Sequence, residues 1–224
     1  MKKIVFVSHC ILNTASKVIL YNQEEMDAEE SLRKEFLQKA IADDIHIIQL
    51  PCPEFTLYGA KRWGHVSDQF DNPFFRSHCR RILSPVIEQL KEYLANEGWF
   101  KILGVVGVDG SPSCGVDYTC RGNWYGSFEC RTDLDETLAD CRLEKGSGVF
   151  MAVLKEMLGE EGLDGKIKVT SLFAPEPEKC MGLIGKFEVS VDPFYSQENM
   201  ASLRESVAQM EATGGTVHEV DFDD

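Results

Sequence analysis

The sequence predicts an α/β fold of the Rossmann-like type, in which helices cover both faces of a parallel sheet. Short apolar runs rich in β-branched residues alternate along the chain with longer segments of helical periodicity. The apolar runs are nearly continuous, which indicates strands that are buried on both faces. We expect right-handed crossovers between the strands, and a ligand site at their carboxyl ends.

The first third of the chain predicts two strands and one helix. The first strand covers residues 3–7 and leads to Cys10. Apolar residues at helical spacing, with acidic residues in the first turn, predict a helix over residues 27–42. The second strand covers residues 45–50 and stops at the two prolines that flank Cys52, because proline cannot donate to a sheet ladder.

The middle third predicts a long helix, a third strand and a long loop. The helix covers residues 73–95, and Pro85 inside it marks either a kink or a boundary between two helices. The strand covers residues 102–108 and stops at a cluster of turn-forming residues that contains Cys114. Residues 116–146 show no clear period; since a loop of that length is usually functional, we expect it to cover the site.

The last third predicts a helix over residues 149–158 and a strand over residues 167–172. A C-terminal extension then carries an amphipathic helix, residues 196–212, and a strand, residues 216–220. A chain of this length can bury one sizeable core. We therefore treat residues 1–224 as one α/β domain.

Composition argues against some classes of binding partner and indicates the cellular compartment. The chain has 23 basic against 37 acidic residues and a net charge of -14, which repels nucleic acid and anionic lipid. No apolar run approaches the ~18 residues of a membrane span, and the first residues hold too short an apolar stretch for a signal peptide. We expect a cytoplasmic protein that binds neither nucleic acid nor membranes.

Three of the eight cysteines, Cys10, Cys52 and Cys114, follow the three predicted strands. If those strands are neighbours, their carboxyl ends lie within about 5 to 10 Å of one another, which is the scale of a four-iron cluster. Three thiolates leave the fourth iron open as a Lewis acid. Ordinary buried cysteines, or zinc held by three thiolates and a water molecule, are alternatives that the spacing leaves open.

Three short motifs carry these cysteines: Ser-His-Cys at residues 8–10, Cys-Pro-Glu at 52–54 and Ser-Pro-Ser-Cys-Gly at 111–115. In this order they resemble the thiouracil desulfidase family of bacteria and archaea. The resemblance covers about residues 1–173 and leaves 174–224 as the extension. After Cys10 and after Glu54 the chain departs from the usual strings of that family, so the resemblance implies a divergent member with a different pocket wall.

The resemblance implies a [4Fe-4S] cluster on Cys10, Cys52 and Cys114, whose open iron takes the sulfur atom of a small thiolated substrate. The products are the oxo compound and sulfide, with no net redox change. Glu54 matches the general acid–base group, and Ser111 matches its companion, which holds water or substrate.

Four residues complete the predicted substrate site: His9, Asn13, Arg62 and Ser113. His9 adjoins a cysteine and could move a proton, or could simply be a hydrogen-bonded neighbour. Asn13 is equally suited to a turn. Arg62 and its aromatic neighbours suggest a wall that stacks on a planar ring, with a plain surface loop as the alternative.

The other five cysteines have weaker interpretations. Cys120, Cys130 and Cys141 lie in the long loop and could form a second metal site, a disulfide or free thiols. Cys79 and Cys180 are best explained by burial.

The favoured hypothesis is an enzyme that removes sulfur from a small compound such as a thiolated nucleobase by acting on a carbon–sulfur bond. A non-enzymatic iron–sulfur or zinc protein for redox sensing or sulfur transfer is the alternative, and dehydration of a hydroxy acid at the open iron is a third. The partner is a small thiolated molecule, and a homodimer is left open. A cluster of this kind could be lost in aerobic preparations.

Overall fold

A four-stranded parallel sheet forms the centre of this computed structural model, which describes residues 1–20 and 22–185. The six strands are β1 (Lys2–Val7), β2 (Ile45–Gln49), β3 (Phe100–Val108), β4 (Tyr118–Arg121), β5 (Arg142–Lys145) and β6 (Val169–Leu172). The main sheet has the order β2-β1-β3-β6 with every pairing parallel. The four strands predicted within the described residues are therefore confirmed to within two residues at each end.

Eight α-helices are described: α1 (His9–Leu12), α2 (Gln23–Ala42), α3 (Pro53–Tyr58), α4 (Ser67–Phe70), α5 (Pro73–Ala95), α6 (Leu134–Asp140), α7 (Val149–Glu160) and α8 (Glu178–Ile184). The helix predicted to start at residue 27 starts four residues earlier, because the Asn22 side chain caps it by accepting a hydrogen bond from the Glu25 N–H. α5 has the predicted bounds, and Pro85 lies within it without ending it.

Helices cover both faces of the sheet, as predicted. On one face, Val5, Val7 and Val106 pack against α2 and α8. On the other face, Phe6 and Val105 pack against α5 and α7. Successive strand residues thus enter two separate apolar clusters, which explains why the strand sequences are continuously apolar.

The sheet order places a topological switch point at β1. The chain leaves β1 for β2 on one side and later returns to β3 on the other side. In open parallel sheets of this type, ligands bind in the crevice beyond the carboxyl ends of the strands that flank the switch point. The loops after β1, β2 and β3 form that edge here.

The stretch predicted as a loop, residues 116–146, contains regular structure, so that prediction is wrong. β4 and β5 form an antiparallel pair, and α6 lies between them. These elements are too short for a periodic pattern to stand out in the sequence. The stretch contacts α4, where the Ser67 hydroxyl donates to the Cys120 carbonyl at 3.1 Å and Arg121 pairs with Asp68.

Two predictions fall outside the described residues: the helix over residues 196–212 and the strand over residues 216–220. The assignment of residues 1–224 to one domain stays a prediction. Within residues 1–20 and 22–185, no helix combines the length and apolar character that a bilayer crossing requires.

Candidate active site

The three predicted cysteine ligands lie at one edge of the sheet. Cys10 is in α1 directly after β1, Cys52 is the residue before α3 after β2, and Cys114 is in the turn after β3. Since β2, β1 and β3 are adjacent in that order, these ends meet. The thiols are close enough for Cys10 and Cys52 to raise the pKa of Cys114.

Burial dominates the acidity of these thiols. It raises the pKa of Cys10 to about 12 and raises that of Cys114 well above the ordinary value. Burial also raises the pKa of Cys52, although the Phe55 N–H, which donates to its sulfur at 3.3 Å, opposes the shift. A bound cation or cluster would reverse this balance, because coordination deprotonates a thiol and supplies the opposing positive charge.

The surroundings of Cys114 fit a sulfur-rich cofactor. The Ser8 hydroxyl is buried and has no hydrogen-bond partner within the described ranges, yet it lies close enough to the Cys114 thiol to lower its pKa. A buried hydroxyl without a partner costs about 1–3 kcal/mol, so an acceptor such as a thiolate or sulfide suits this position. Thiolates are also the donors that hold iron–sulfur clusters, and three of them would leave one iron of a four-iron cluster without a protein ligand. In the described part of the chain, no three His, Cys, Asp or Glu side chains converge on a site for a metal ion.

Glu54 is the acidic residue of the three cysteine motifs. It lies in the first turn of α3 and is buried. Its Oε1 accepts a hydrogen bond of 2.6 Å from the Ser113 hydroxyl, and its Oε2 is 3.0 Å from Arg62 Nε. Glu54 therefore joins the loop after β2 to the turn that carries Cys114.

Arg62 is held by the protein itself. Its side chain is 3% exposed, and besides Glu54 it donates to the backbone carbonyls of Gly59 at 3.1 Å and Ser16 at 2.7 Å. These contacts make Arg62 the partner and anchor of Glu54. These bonds use three of the five N–H groups of the guanidinium. The contact of Arg62 with substrate stays a prediction.

The two serines of the third motif make different contacts. The Ser111 hydroxyl accepts hydrogen bonds from the backbone N–H groups of Cys114 at 3.0 Å and Ser113 at 3.4 Å, and so braces the turn. Ser113 is the serine that contacts the Glu54 carboxylate. The predicted companion of Glu54 was Ser111, whereas the structure brings Ser113 to it.

His9 and Asn13 flank the first cysteine. The side chain of Asn13 is exposed and accepts from the Ala15 N–H at 3.2 Å, which begins a short 3₁₀ helix, Thr14–Ser16. The carbonyl of His9 accepts from the Gln49 side chain at 2.9 Å, while its half-buried ring has no hydrogen bond to a described residue. The turn role of Asn13 is thus present, and the substrate contacts of both residues stay predictions.

Asp109 is a structural member of the site that the sequence analysis missed. Its Oδ1 accepts three backbone hydrogen bonds, from Val116 at 2.7 Å, Asp117 at 3.0 Å and Tyr118 at 3.3 Å. Its Oδ2 accepts from the Ser171 hydroxyl at 2.7 Å. The loop after Cys114 is therefore wrapped around one buried carboxylate. The preference of aspartate for nearby backbone N–H groups is the signal that could have identified it.

The hydrogen bonds to Asp109 also set its acidity. Burial on its own would raise the pKa of Asp109, but the bonds from Ser171 and from the three backbone N–H groups outweigh burial and lower the pKa below its ordinary value. Lys179, 3.5 Å away, adds an opposite charge. The carboxylate is thus ionised in the folded protein at neutral pH.

Comparison with known proteins assigns this constellation to a family. The profile of the family described as "Putative 2-thiouracil desulfurase" matches residues 1–131, which include the three cysteines, Glu54 and the turn over residues 111–115. The chain belongs to this family. An uncharacterised protein of Methanocaldococcus jannaschii is 31% identical over 161 residues, which is 70% of this chain and 97% of the relative. No solved structure matches. The resemblance inferred from the three motifs is thereby confirmed.

In this desulfurase-family chain, the start of α7 supports the Cys114 turn. The N–H groups of Val149 and Phe150 donate to the carbonyls of Pro112 and Ser113 at 3.1 and 2.9 Å. The first N–H groups of a helix have no partner within the helix, and here two of them donate to the turn that carries Cys114. Gly148 permits the contact, because a Cβ there would lie 2.6 Å from both the carbonyl carbon and the oxygen of Ser113.

Replacing Gly148 with alanine is therefore expected to destabilise the protein by about 1–3 kcal/mol, the usual cost of overpacking. Gly159, near the other end of α7, has no neighbour within 4 Å of its Cβ position, and Gly159→Ala should stabilise the helix by about 0.5–1 kcal/mol. Urea denaturation of the two variants measures both changes in the free energy of unfolding. Equal effects of the two variants would contradict the close approach at Gly148.

The remaining cysteines of this family member are free thiols in the structure. Cys79 and Cys180 are buried, in α5 and α8, as predicted. Cys141 lies near enough to Cys120 to raise its pKa further, although burial is the larger cause. Cys130 is exposed. The alternatives of a second metal site or a disulfide in this stretch stay open.

Proposed function

We propose that this chain is a desulfidase that removes sulfur from a small thiolated compound, such as a thiolated nucleobase, with a [4Fe-4S] cluster held by Cys10, Cys52 and Cys114. The family supports an enzyme that acts on sulfur compounds. One observation carries the finer proposal: the buried Glu54 carboxylate is hydrogen-bonded at 2.6 Å to Ser113, the residue next to Cys114. An acid–base group thus stands beside three thiols.

The net reaction exchanges sulfur for oxygen at carbon. Water and a thiocarbonyl compound give a carbonyl compound and hydrogen sulfide, so no electrons are gained or lost. When bound, the cluster would supply an open iron that takes the sulfur atom as a Lewis acid. The remaining chemistry is proton transfer, which the protein must provide.

Glu54 would take one proton from the attacking water and give it to the departing sulfur. The second water proton, on the new hydroxyl group, would follow through the same carboxylate as the carbonyl forms, so that hydrogen sulfide leaves. Arg62 holds Oε2, which leaves Oε1 as the oxygen on the side of the cysteine turn. Ser113 donates to Oε1 in the described structure and would orient the water as that contact is exchanged. The two contacts restrict the rotation of the Glu54 side chain, as a proton-transfer geometry requires.

Iron loading tests the ligand assignment. After anaerobic purification and reconstitution with iron and sulfide, the wild type should contain about four irons per chain. Cys114→Ala should lose most of this iron, because one of three ligands is gone. Cys79→Ala is the matched control, since Cys79 is also buried but lies in α5.

The outcomes separate the ligand assignment from the activity. Failure of the wild type to take up iron, or equal uptake by both cysteine variants, would contradict the cluster assignment. A loaded protein should then release sulfide from one or more thiolated nucleobases, measured colorimetrically under anaerobic conditions. A full cluster without sulfide release from any thiolated compound would favour the redox-sensing alternative.

A further inference from the structure

Ser8 is a fully buried residue whose backbone is hydrogen-bonded and whose side chain is not. Its N–H donates to the Val106 carbonyl at 2.9 Å, and its carbonyl accepts from the Ile11 N–H at 3.0 Å. Its hydroxyl has no hydrogen-bond partner of good geometry among residues 1–20 and 22–185. Native structures keep few buried polar atoms in this condition, because each of them costs free energy, and those that remain often belong to functional sites.

Helix capping does not explain a serine at this position. Ser8 directly precedes α1, and serine commonly caps a helix there by accepting a hydrogen bond from an N–H group of the first turn. In the described part of the chain, the Ser8 side chain makes no such bond. The hydroxyl is therefore left available for a different partner.

The strand order places Ser8 beside the turn that carries Cys114. Ser8 follows β1, and its bond to Val106 continues the pairing of β1 with β3 toward Gly107. The Cys114 turn packs directly on Gly107, where a Cβ would lie 2.4 Å from the Cys114 carbonyl oxygen. The Ser8 hydroxyl is accordingly near enough to the Cys114 sulfur to oppose the rise in the pKa of this thiol that burial causes.

Two hydroxyls lie beside the Cys114 sulfur, and they differ in whether their proton is already used. The Ser113 oxygen is 3.6 Å from that sulfur but 2.6 Å from Glu54 Oε1. Because a hydroxyl donates one proton and the carboxylate is the stronger and nearer acceptor, Ser113 donates to Glu54. The Ser8 proton has no competing acceptor within the described ranges. Ser8 is thus the donor that is available to a Cys114 thiolate.

We propose that Ser8 is a positioning residue of the cluster site, whose hydroxyl donates a hydrogen bond to the Cys114 thiolate when the cluster is bound. This inference rests on the proposed function, which assigns Cys114 as a cluster ligand. A hydrogen bond withdraws electron density from a ligand sulfur, and such bonds are among the factors that set the potential of an iron–sulfur cluster. A thiolate that donates less density to iron leaves the open iron a stronger Lewis acid for the substrate sulfur.

Ser8→Ala removes the donor, and Ser67→Ala is the matched control. Ser67 is also buried, but its hydroxyl already donates to the Cys120 carbonyl at 3.1 Å. Urea denaturation of the cluster-free proteins should give opposite signs. The equilibrium constant for unfolding should be about tenfold smaller in Ser8→Ala than in the wild type, because a buried hydroxyl without a partner is removed. In Ser67→Ala it should be about fivefold larger, because a hydrogen bond is lost.

The reduction potential of the reconstituted cluster is the readout that a purely structural role would not change. Under anaerobic conditions, with mediator dyes, Ser8→Ala should have a lower potential than the wild type, because the reduced cluster carries more negative charge and gains more from a donor. We expect the ratio of reduced to oxidised cluster at a given potential to fall about tenfold, a shift of about 59 mV for a one-electron couple. Ser67→Ala should keep the wild-type potential.

An unchanged potential in Ser8→Ala would overturn the inference. A cluster-free Ser8→Ala as destabilised as Ser67→Ala would also overturn it, since the hydroxyl would then have a structural partner. Either result leaves the desulfidase function in place. A wild type that takes up no iron would instead contradict the ligand assignment, and the inference with it. A shifted potential in a loaded protein that releases no sulfide would support the inference and contradict the desulfidase function alone.

Discussion

Glu54→Gln is expected to lower kcat for sulfide release by about 100-fold to 10,000-fold, the usual contribution of a general acid–base group. The amide has the same shape as the carboxylate but cannot accept a proton from water at neutral pH. The iron content should stay that of the wild type, because Glu54 is not among the proposed ligands. Anaerobic sulfide release at equal iron content measures the effect.

Two further variants separate the chemistry from the packing. Glu54→Gln leaves the Arg62 guanidinium buried without its carboxylate, and breaking such a pair costs about 3–5 kcal/mol. Adding Arg62→Gln removes that charge and should recover part of the stability, but none of the activity. Ser113→Ala keeps the carboxylate and its ion pair, so its loss of kcat should be smaller. A Glu54→Gln enzyme with wild-type kcat would refute the acid–base role.

Asp109→Asn is expected to destabilise the cluster-free protein by about 3 kcal/mol or more, because the buried carboxylate accepts four hydrogen bonds and the amide has only one accepting oxygen. The loss should come with disorder in the loop after Cys114, since that loop donates three backbone hydrogen bonds to Oδ1. Asp117→Asn is the matched control: Asp117 is 51% exposed and pairs with the same Lys179 at 2.8 Å. An exposed pair contributes at most about 1 kcal/mol. Urea denaturation at pH 7 measures the free energy of unfolding of both variants.

The pH dependence of this difference has a defined sign. The pKa of Asp109 is lower in the folded protein than in the unfolded chain, where it is about 3.9. The carboxylate therefore contributes its full stability above pH ~4, and this contribution is lost as the pH falls through the folded value. The gap in melting temperature between wild type and Asp109→Asn should narrow below pH ~4. A gap that stays constant would contradict the assignment to the Asp109 charge.

Sequence periodicity was sufficient for the sheet strands and the three longest helices. It failed for residues 116–146, because β4, β5 and α6 are each shorter than the repeat that a pattern needs. The start of α2 was also misjudged: the Asn22 cap extends the helix into a polar segment. In each case the deciding interaction was a hydrogen bond and not the burial of an apolar face.

The sequence predicted the positions of the cysteines in the site but not the contacts of its polar residues. The positions of Cys10, Cys52 and Cys114 at strand ends followed from local pattern, and their adjacency followed once the sheet was taken as parallel. The roles of the polar residues did not follow. Ser111 braces the turn while Ser113 contacts Glu54, although both hydroxyls lie in the same short motif. Only the direction in which each side chain leaves the turn separates them.

The sequence alone determined the α/β class, the strand ends at which the cysteines lie and the family, because these depend on local burial patterns and short motifs. The tertiary structure decided which polar groups meet there. Glu54 and Ser113 are 59 residues apart, and Arg62 and the Ser16 carbonyl are 46 apart. Such contacts depend on strand order and loop path, and a hydrogen bond forms only within a few tenths of an ångström and a narrow range of angles. No local pattern encodes that geometry.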